Sequence, residues 1–306
     1  MKKMSAEEEL QQEITELKEK RNAVILAHNY QRGEVQDVAD YVGDSLGLSQ
    51  QAAKTDAEII IFCGVHFMAE TAYILAPDKT VVLPDAAAGC PLADMVTVRA
   101  LRARKAQLND YAVVTYINSS AAVKAESDIC CTSSNAVKVI ASIPQEKILF
   151  IPDKNLALWA EAQTGKEIAI WPGFCPTHHH ITANQVKELK EENTESEFMA
   201  HPECVPEVTA LADFVGSTSA MFKYAAESQA DCLIVGSEAG MLHRLRKENP
   251  QKTFILPSKQ TVCPNMKRTT LAKVKQALLS LETKITVGED IRKKALSSVE
   301  KMLEVV

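Results

Sequence analysis

Three apolar runs in this chain each lead through a proline and a turn to the dipeptide Cys-Pro. They are "VVLPDAAAGCP" ending at Pro91, "IAIWPGFCP" ending at Pro176 and "FILPSKQTVCP" ending at Pro264. Cys90, Cys175 and Cys263 are therefore 85 and 88 residues apart. One Cys-Pro step means little, but three at nearly constant spacing point to a unit used three times.

The segments upstream agree. Each unit opens with a strand ending in polar residues, "AVILAHNY", "AVVTYINS" and "EFMAHPEC", with His28, Tyr116 and His201 at equivalent strand ends. Apolar spacing predicts a helix next, through Val35, Val38, Ala39 and Val42 and again through Val208, Leu211, Ala212 and Val215. Short strands then run into hydroxyl residues in "YVGDS", "ICCTS" and "FVGST". Ser45, Ser133 and Ser217 lie 17, 17 and 16 residues beyond the first strand ends. A second helix, a third strand ("EIIIF", "KILFI", "CLIVG"), a third helix and a fourth, cysteine-bearing strand complete each unit.

Strands alternating with helices imply parallel sheets with crossover connections. The predicted fold class is α/β, built from three similar α/β/α units with parallel sheets of about four strands. The expected organisation is an N-terminal helix (1–21), repeats at 22–107, 108–192 and 193–270, and C-terminal helices (271–306). Three such units are expected to pack around a pseudo-threefold axis. Their strand C-terminal ends would then face a central active site, where open α/β sheets bind ligands.

Composition narrows the function. A net charge of −6 argues against a general nucleic-acid binder, and 46% hydrophobic with 24% charged residues is ordinary for a soluble protein. No run of eighteen apolar residues is present, so no membrane span is predicted, and the polar N-terminal segment lacks the apolar stretch of a secretory signal. Eight cysteines without a dense framework fit a reducing cytoplasm.

If the units converge, three thiols from three units meet. That set suits zinc with an open position or an iron–sulfur cluster with one iron free of protein sulfur. A zinc-dependent lyase or hydrolase and a non-catalytic iron–sulfur carrier are the rival readings. Cys63, Cys130 and Cys232 sit in or beside apolar segments and read as packing residues. Imidazoles and carboxylates at the strand ends (His28, His201, Glu203) can bind carboxylates or move protons. Hydroxyls where helices begin (Ser45, Ser133, Ser217, Thr218) can cap the helix or hold an anion. In "CPTHHH", His178 reads as a substrate contact or a neighbour of the metal ligands, and His179 and His180 as loop residues.

Taken together, "LAHNYQRGEVQDVADYVGDSLGLS", "AAGCPLADM", "TYINSSAAVKAESDICCTSSNA", "MAHPEC", "VGSTSAM" and "VCPNMK" resemble the quinolinate synthases of NAD biosynthesis over nearly the whole chain. The resemblance implies one 4Fe-4S cluster on Cys90, Cys175 and Cys263, with one open iron acting as Lewis acid. It implies condensation of iminoaspartate with dihydroxyacetone phosphate to quinolinate, with release of phosphate and water. It also implies that an aspartate oxidase or dehydrogenase supplying iminoaspartate is a transient partner. By position, His28, Ser45, Tyr116, Asn118, Ser133, His178, His201, Glu203, Ser217 and Thr218 correspond to substrate-binding residues. Tyr30, His201 and Glu203 correspond to the catalytic ones. Some members carry CxxCxxC at the third cysteine. Here "TVCPNMK" leaves Cys263 as the sole local ligand and removes any redox switch built on that motif.

Overall fold

The computed structural model describes residues 4–305, which form three four-stranded parallel sheets interleaved with helices. Helix α1 (Ala6–Lys20) precedes β1 (Ala23–His28), α2 (Gly33–Asp37), β2 (Tyr41–Gly43), α3 (Ser45–Lys54), β3 (Ile59–Cys63), α4 (His66–Leu75) and β4 (Thr80–Val82). Helices α5 (Pro91–Asp94) and α6 (Val98–Lys105) come next. The order then returns as β5 (Ala112–Tyr116), α7 (Ala121–Lys124), β6 (Ile129–Cys131), α8 (Ala136–Ser142), β7 (Lys147–Ile151), α9 (Lys154–Thr164) and β8 (Glu167–Ile170). Helices α10 (Pro176–His179) and α11 (Ala183–Glu192) follow. The third unit is β9 (Glu197–Ala200), α12 (Pro206–Thr209), β10 (Phe214–Val215), α13 (Thr218–Glu227), β11 (Cys232–Gly236), α14 (Met241–Glu248) and β12 (Thr253–Ile255). Helices α15 (Leu271–Ser280) and α16 (Glu289–Glu304) complete the elements. Every sheet has the same strand order, second, first, third, fourth.

An aspartate fixes how the first two strands of each unit meet. The carboxylates of Asp40, Asp128 and Asp213 accept the backbone N–H of Ile25, Val113 and Phe198 at 2.8, 2.7 and 2.7 Å. The N–H of each aspartate donates back to the carbonyl of the same residue. The separation is 15 residues each time, so one acid before the second strand satisfies the start of the first. Asp128→Ala leaves the Val113 N–H without this acceptor. It should lower unfolding free energy by about 1–3 kcal/mol in a denaturant titration, while Glu34→Ala on α2 should change it by less than about 0.5 kcal/mol.

Seven residues past each cysteine, a threonine starts a helix of eight or ten residues. Thr97, Thr182 and Thr270 are the N-caps of α6, α11 and α15, their side chains accepting from Ala100, Gln185 and Lys273. α6 and α11 cover the sheet that follows them in the chain, whereas α15 returns to the first sheet. Leu101 of α6 shares a core with Val113 and Leu149, and Val186 of α11 packs with Phe198 and Ile234. Leu271, Val274 and Leu278 of α15 join Ile25 and Ile61 of the first sheet, with Ile14 of α1. Parallel strands buried on both faces need such cover, which is why β3 reads "IIIFC" and is buried throughout.

The chain divides into two compact units: residues up to Cys90 with Pro264–Glu289, and Pro91–Cys263 with the stretch from Asp290 onward. Two of the three Cys-Pro steps coincide with this division. No helix among the described residues is long and apolar enough to cross a membrane.

Three expectations need correction. The helix after each first strand is only four or five residues long, and Val42 and Val215 lie on β2 and β10. Helical spacing ran on because a short helix and the following strand present apolar residues in one continuous series. The third unit's first strand stops at Ala200, one residue before His201. The cysteines are not on the fourth strands: β4, β8 and β12 end at Val82, Ile170 and Ile255, and each cysteine lies beyond in the following loop.

Candidate active site

Each cysteine follows the same backbone junction. The N–H groups of His66, Lys154 and Ala239, just past the third strands, donate to the carbonyls of Ala88, Gly173 and Thr261, all at 2.8 Å. Each acceptor is two residues before its cysteine, so Cys90, Cys175 and Cys263 hold equivalent places in their units. Gly173 is required there because a Cβ would run into the backbone of Pro152. These three thiols are half-buried, as is Cys232 at the start of β11, whereas Cys63, Cys130, Cys131 and Cys204 are fully enclosed. Burial pushes the Cys63, Cys131 and Cys204 thiols up, which keeps them protonated and inert.

In the larger unit a dense polar cluster forms where β5, β6 and β9 end. Glu203 Oε2 lies 2.8 Å from His178 Nδ1 and 3.4 Å from His201 Nδ1, and the two imidazoles stack at 4.7 Å. His178 Nδ1 is 3.3 Å from Cys175 Sγ, and its Nε2 is 3.1 Å from Ser237 Oγ. His201 Nε2 is 3.1 Å from Ser133 Oγ. Asn155 donates to the Glu203 carbonyl at 2.8 Å and ties α9 to this loop.

The ring nitrogens face different partners. The Glu203 N–H approaches His201 Nδ1 at 3.3 Å, and the other ring nitrogen, Nε2, faces Ser133. The smaller unit repeats the arrangement. The Tyr30 N–H donates to His28 Nδ1 at 3.2 Å, and the two rings meet edge to face at 4.5 Å. His178 differs: its Nδ1 faces Glu203 and Cys175, and its Nε2 faces Ser237.

Burial would push the Glu203 carboxyl up. His178, followed by His201 and the Tyr116 hydroxyl, overcomes this and holds it at about 2. Its Oε1 is buried with no hydrogen-bond partner, as is Asn118 Oδ1. A charged carboxylate with one oxygen neutralised and the other unsatisfied is prepared for a ligand or a proton.

The structure thus brings Tyr116, Ser133, Cys175, His178, His201 and Glu203 together, while His28, Tyr30, Ser45 and Cys90 belong to the smaller unit. Of the hydroxyls expected at helix starts, Ser217 caps α13 and Thr218 is its first residue. Ser45 is the first residue of α3, capped by Asp44, and Ser133 lies ahead of Asn135 at the start of α8. His179 is in α10 rather than a loop and packs on Phe174 at 4.3 Å, while His180 caps that helix and is exposed. Sequence reasoning missed Asn155 and Ser237, the contacts just beyond the third strands. The signal for Ser237 was its place directly after "CLIVG"; Asn155, four residues past "KILFI", had none.

Known proteins resemble this chain over nearly its whole length. The family model "NadA: Quinolinate synthetase A protein" matches residues 12–304. A quinolinate synthase of Dehalococcoides mccartyi is 55% identical over 292 residues, 95% of this chain and 97% of that protein. One from Geobacter sp. strain M21 is 54% identical over 98% of both chains. One from Methanosarcina barkeri is 52% identical over 97% of this chain and 98% of its own length.

Proposed function

From the premise that the chain belongs to the quinolinate synthase family, we propose that it makes quinolinate for NAD biosynthesis from iminoaspartate and dihydroxyacetone phosphate, releasing phosphate and water. The observation that carries the reading is Glu203. It is a buried carboxylate clamped by two imidazoles on one oxygen and unsatisfied on the other, beside Cys175.

Cys90, Cys175 and Cys263 fit a 4Fe-4S cluster as ligands. They are the thiols at equivalent loop positions, and none of the three is fully enclosed. When bound, the cluster supplies a Lewis-acidic iron with an open coordination place. The remaining chemistry falls to the side chains. His201 Nε2, Ser133, His28, Tyr116 and Asn118 hold the substrate carboxylates and carbonyl by hydrogen bonds. Ser45, Ser217 and Thr218, at the starts of α3 and α13, hold anionic groups, the phosphate among them. Glu203 Oε1 and the Tyr30 hydroxyl move the protons of carbonyl isomerisation, enamine attack and ring closure, with His201 as partner. His178 orients Glu203 through its Nδ1.

Iminoaspartate is unstable, so an aspartate oxidase or dehydrogenase must supply it, through transient contact. A second reading has one observation in its favour. Cys175, His178 and Glu203 offer ligand atoms within 4.8 Å of one another, which suits a single divalent ion. Anaerobic reconstitution and assay with both substrates separates the two. Quinolinate formation with iron and sulfide in equal amounts supports the synthase, and one zinc without sulfide overturns it.

A further inference from the structure

Two buried acids outside the site described above occupy one place in two units. Asp153 and Glu238 each stand two residues past the third strand, β7 or β11, and both are fully buried. Asp153 Oδ1 accepts the Leu156 N–H at 2.8 Å and its Oδ2 accepts the Cys175 N–H at 3.1 Å. Glu238 Oε2 accepts the Gly240 N–H at 2.6 Å and its Oε1 accepts the Cys263 N–H at 2.9 Å. A helix cap requires only one carboxylate oxygen. The second oxygen is spent on a cysteine in both cases, although the acids differ in length. In the first unit Val65 stands at this place and has no side-chain acceptor.

We propose that Asp153 and Glu238 are positioning residues for the cluster. Each fastens the backbone of one cysteine ligand, Cys175 or Cys263, to the start of the helix after the third strand. The inference rests on the reading of those cysteines as cluster ligands. Two physical consequences follow. A backbone held at two points cannot swing its thiol off the iron, so metal loss is slowed. An N–H committed to a carboxylate is also withheld from the cluster sulfurs, and hydrogen bonds to sulfur set cluster potential.

Glu238→Gln gives the cleaner test, because Asp153 also lies within reach of the Glu203 charge. The amide keeps the size of the acid but presents an NH2 group to one of the two N–H donors. Three measurements on anaerobically reconstituted protein are needed: loss of visible absorption on adding EDTA, the cluster midpoint potential and the thermal midpoint. Glu238→Gln and Asp153→Asn should lose iron at least about tenfold faster than wild type and shift the potential to more positive values. Thr182→Ala and Thr270→Ala remove caps that do not touch a cysteine. They should lower the thermal midpoint but leave iron loss within about twofold and the potential unmoved.

Wild-type loss rates and potential in folded Glu238→Gln would overturn the proposal alone. So would threonine variants that match the carboxylate variants. If Glu238→Gln does not fold, Asp153→Asn decides on the same measurements. Wild-type protein that takes up no iron and sulfide would overturn both this inference and the cluster reading beneath it.

Discussion

Cys90→Ala is expected to abolish both the visible absorption of the reconstituted protein and its quinolinate formation, activity falling below about one hundredth of wild type. Even partners that only touch a metal ligand commonly cost 10–100-fold in metal affinity or activity, and loss of the ligand itself should cost more. The same result is expected for Cys175→Ala and Cys263→Ala, since all three follow the same backbone junction. Cys63→Ala is the control. Its thiol is enclosed in the first sheet's core, so the change should cost about 1 kcal/mol of stability and leave the iron in place. Iron and sulfide analysis with the assay reads all four variants. Full absorption and activity in Cys90→Ala would remove the cluster assignment.

Glu203→Gln tests the proton chemistry separately. The amide fits the same space and accepts from His178, but it cannot take up a proton. Activity should fall about 10²–10⁴-fold with cluster absorption intact, which would also exclude a simple electron carrier. The carboxyl carries a second, independent signature. Its pKa is depressed from 4.5 to about 2 in the folded chain. It therefore contributes stability fully present above its unfolded value, which is lost as pH falls from about 4.5 toward 2. Apo Glu203→Gln should show a shallower decline in unfolding free energy across that window. An acid-unfolding curve parallel to wild type would show that the two imidazoles do not hold the charge as described.

How much of this was readable in advance can be judged from particular residues. The three sheets were legible because "AVIL", "EIIIF" and "KILFI" are apolar runs of strand length at regular spacing, and a buried parallel strand needs such a run. The short helices α2, α7 and α12 were not, because four or five residues are too few to establish a helical period. His28, His201 and Glu203 could be picked out at strand ends. Nothing local revealed that Asp153 and Glu238 face cysteines 22 and 25 residues away. An acid before a helix reads as a cap, and one oxygen of each does cap or brace a turn.

The order of elements, the threefold repeat and the candidate polar residues at the strand ends were determined by the sequence, because apolar periodicity and residue chemistry are local properties of the chain. Which partner each imidazole nitrogen faces, which Glu203 oxygen is satisfied and which acids hold the cysteine loops were decided by tertiary structure. Those properties depend on donors and acceptors that meet only after distant segments have packed, and on burial that sets their charge.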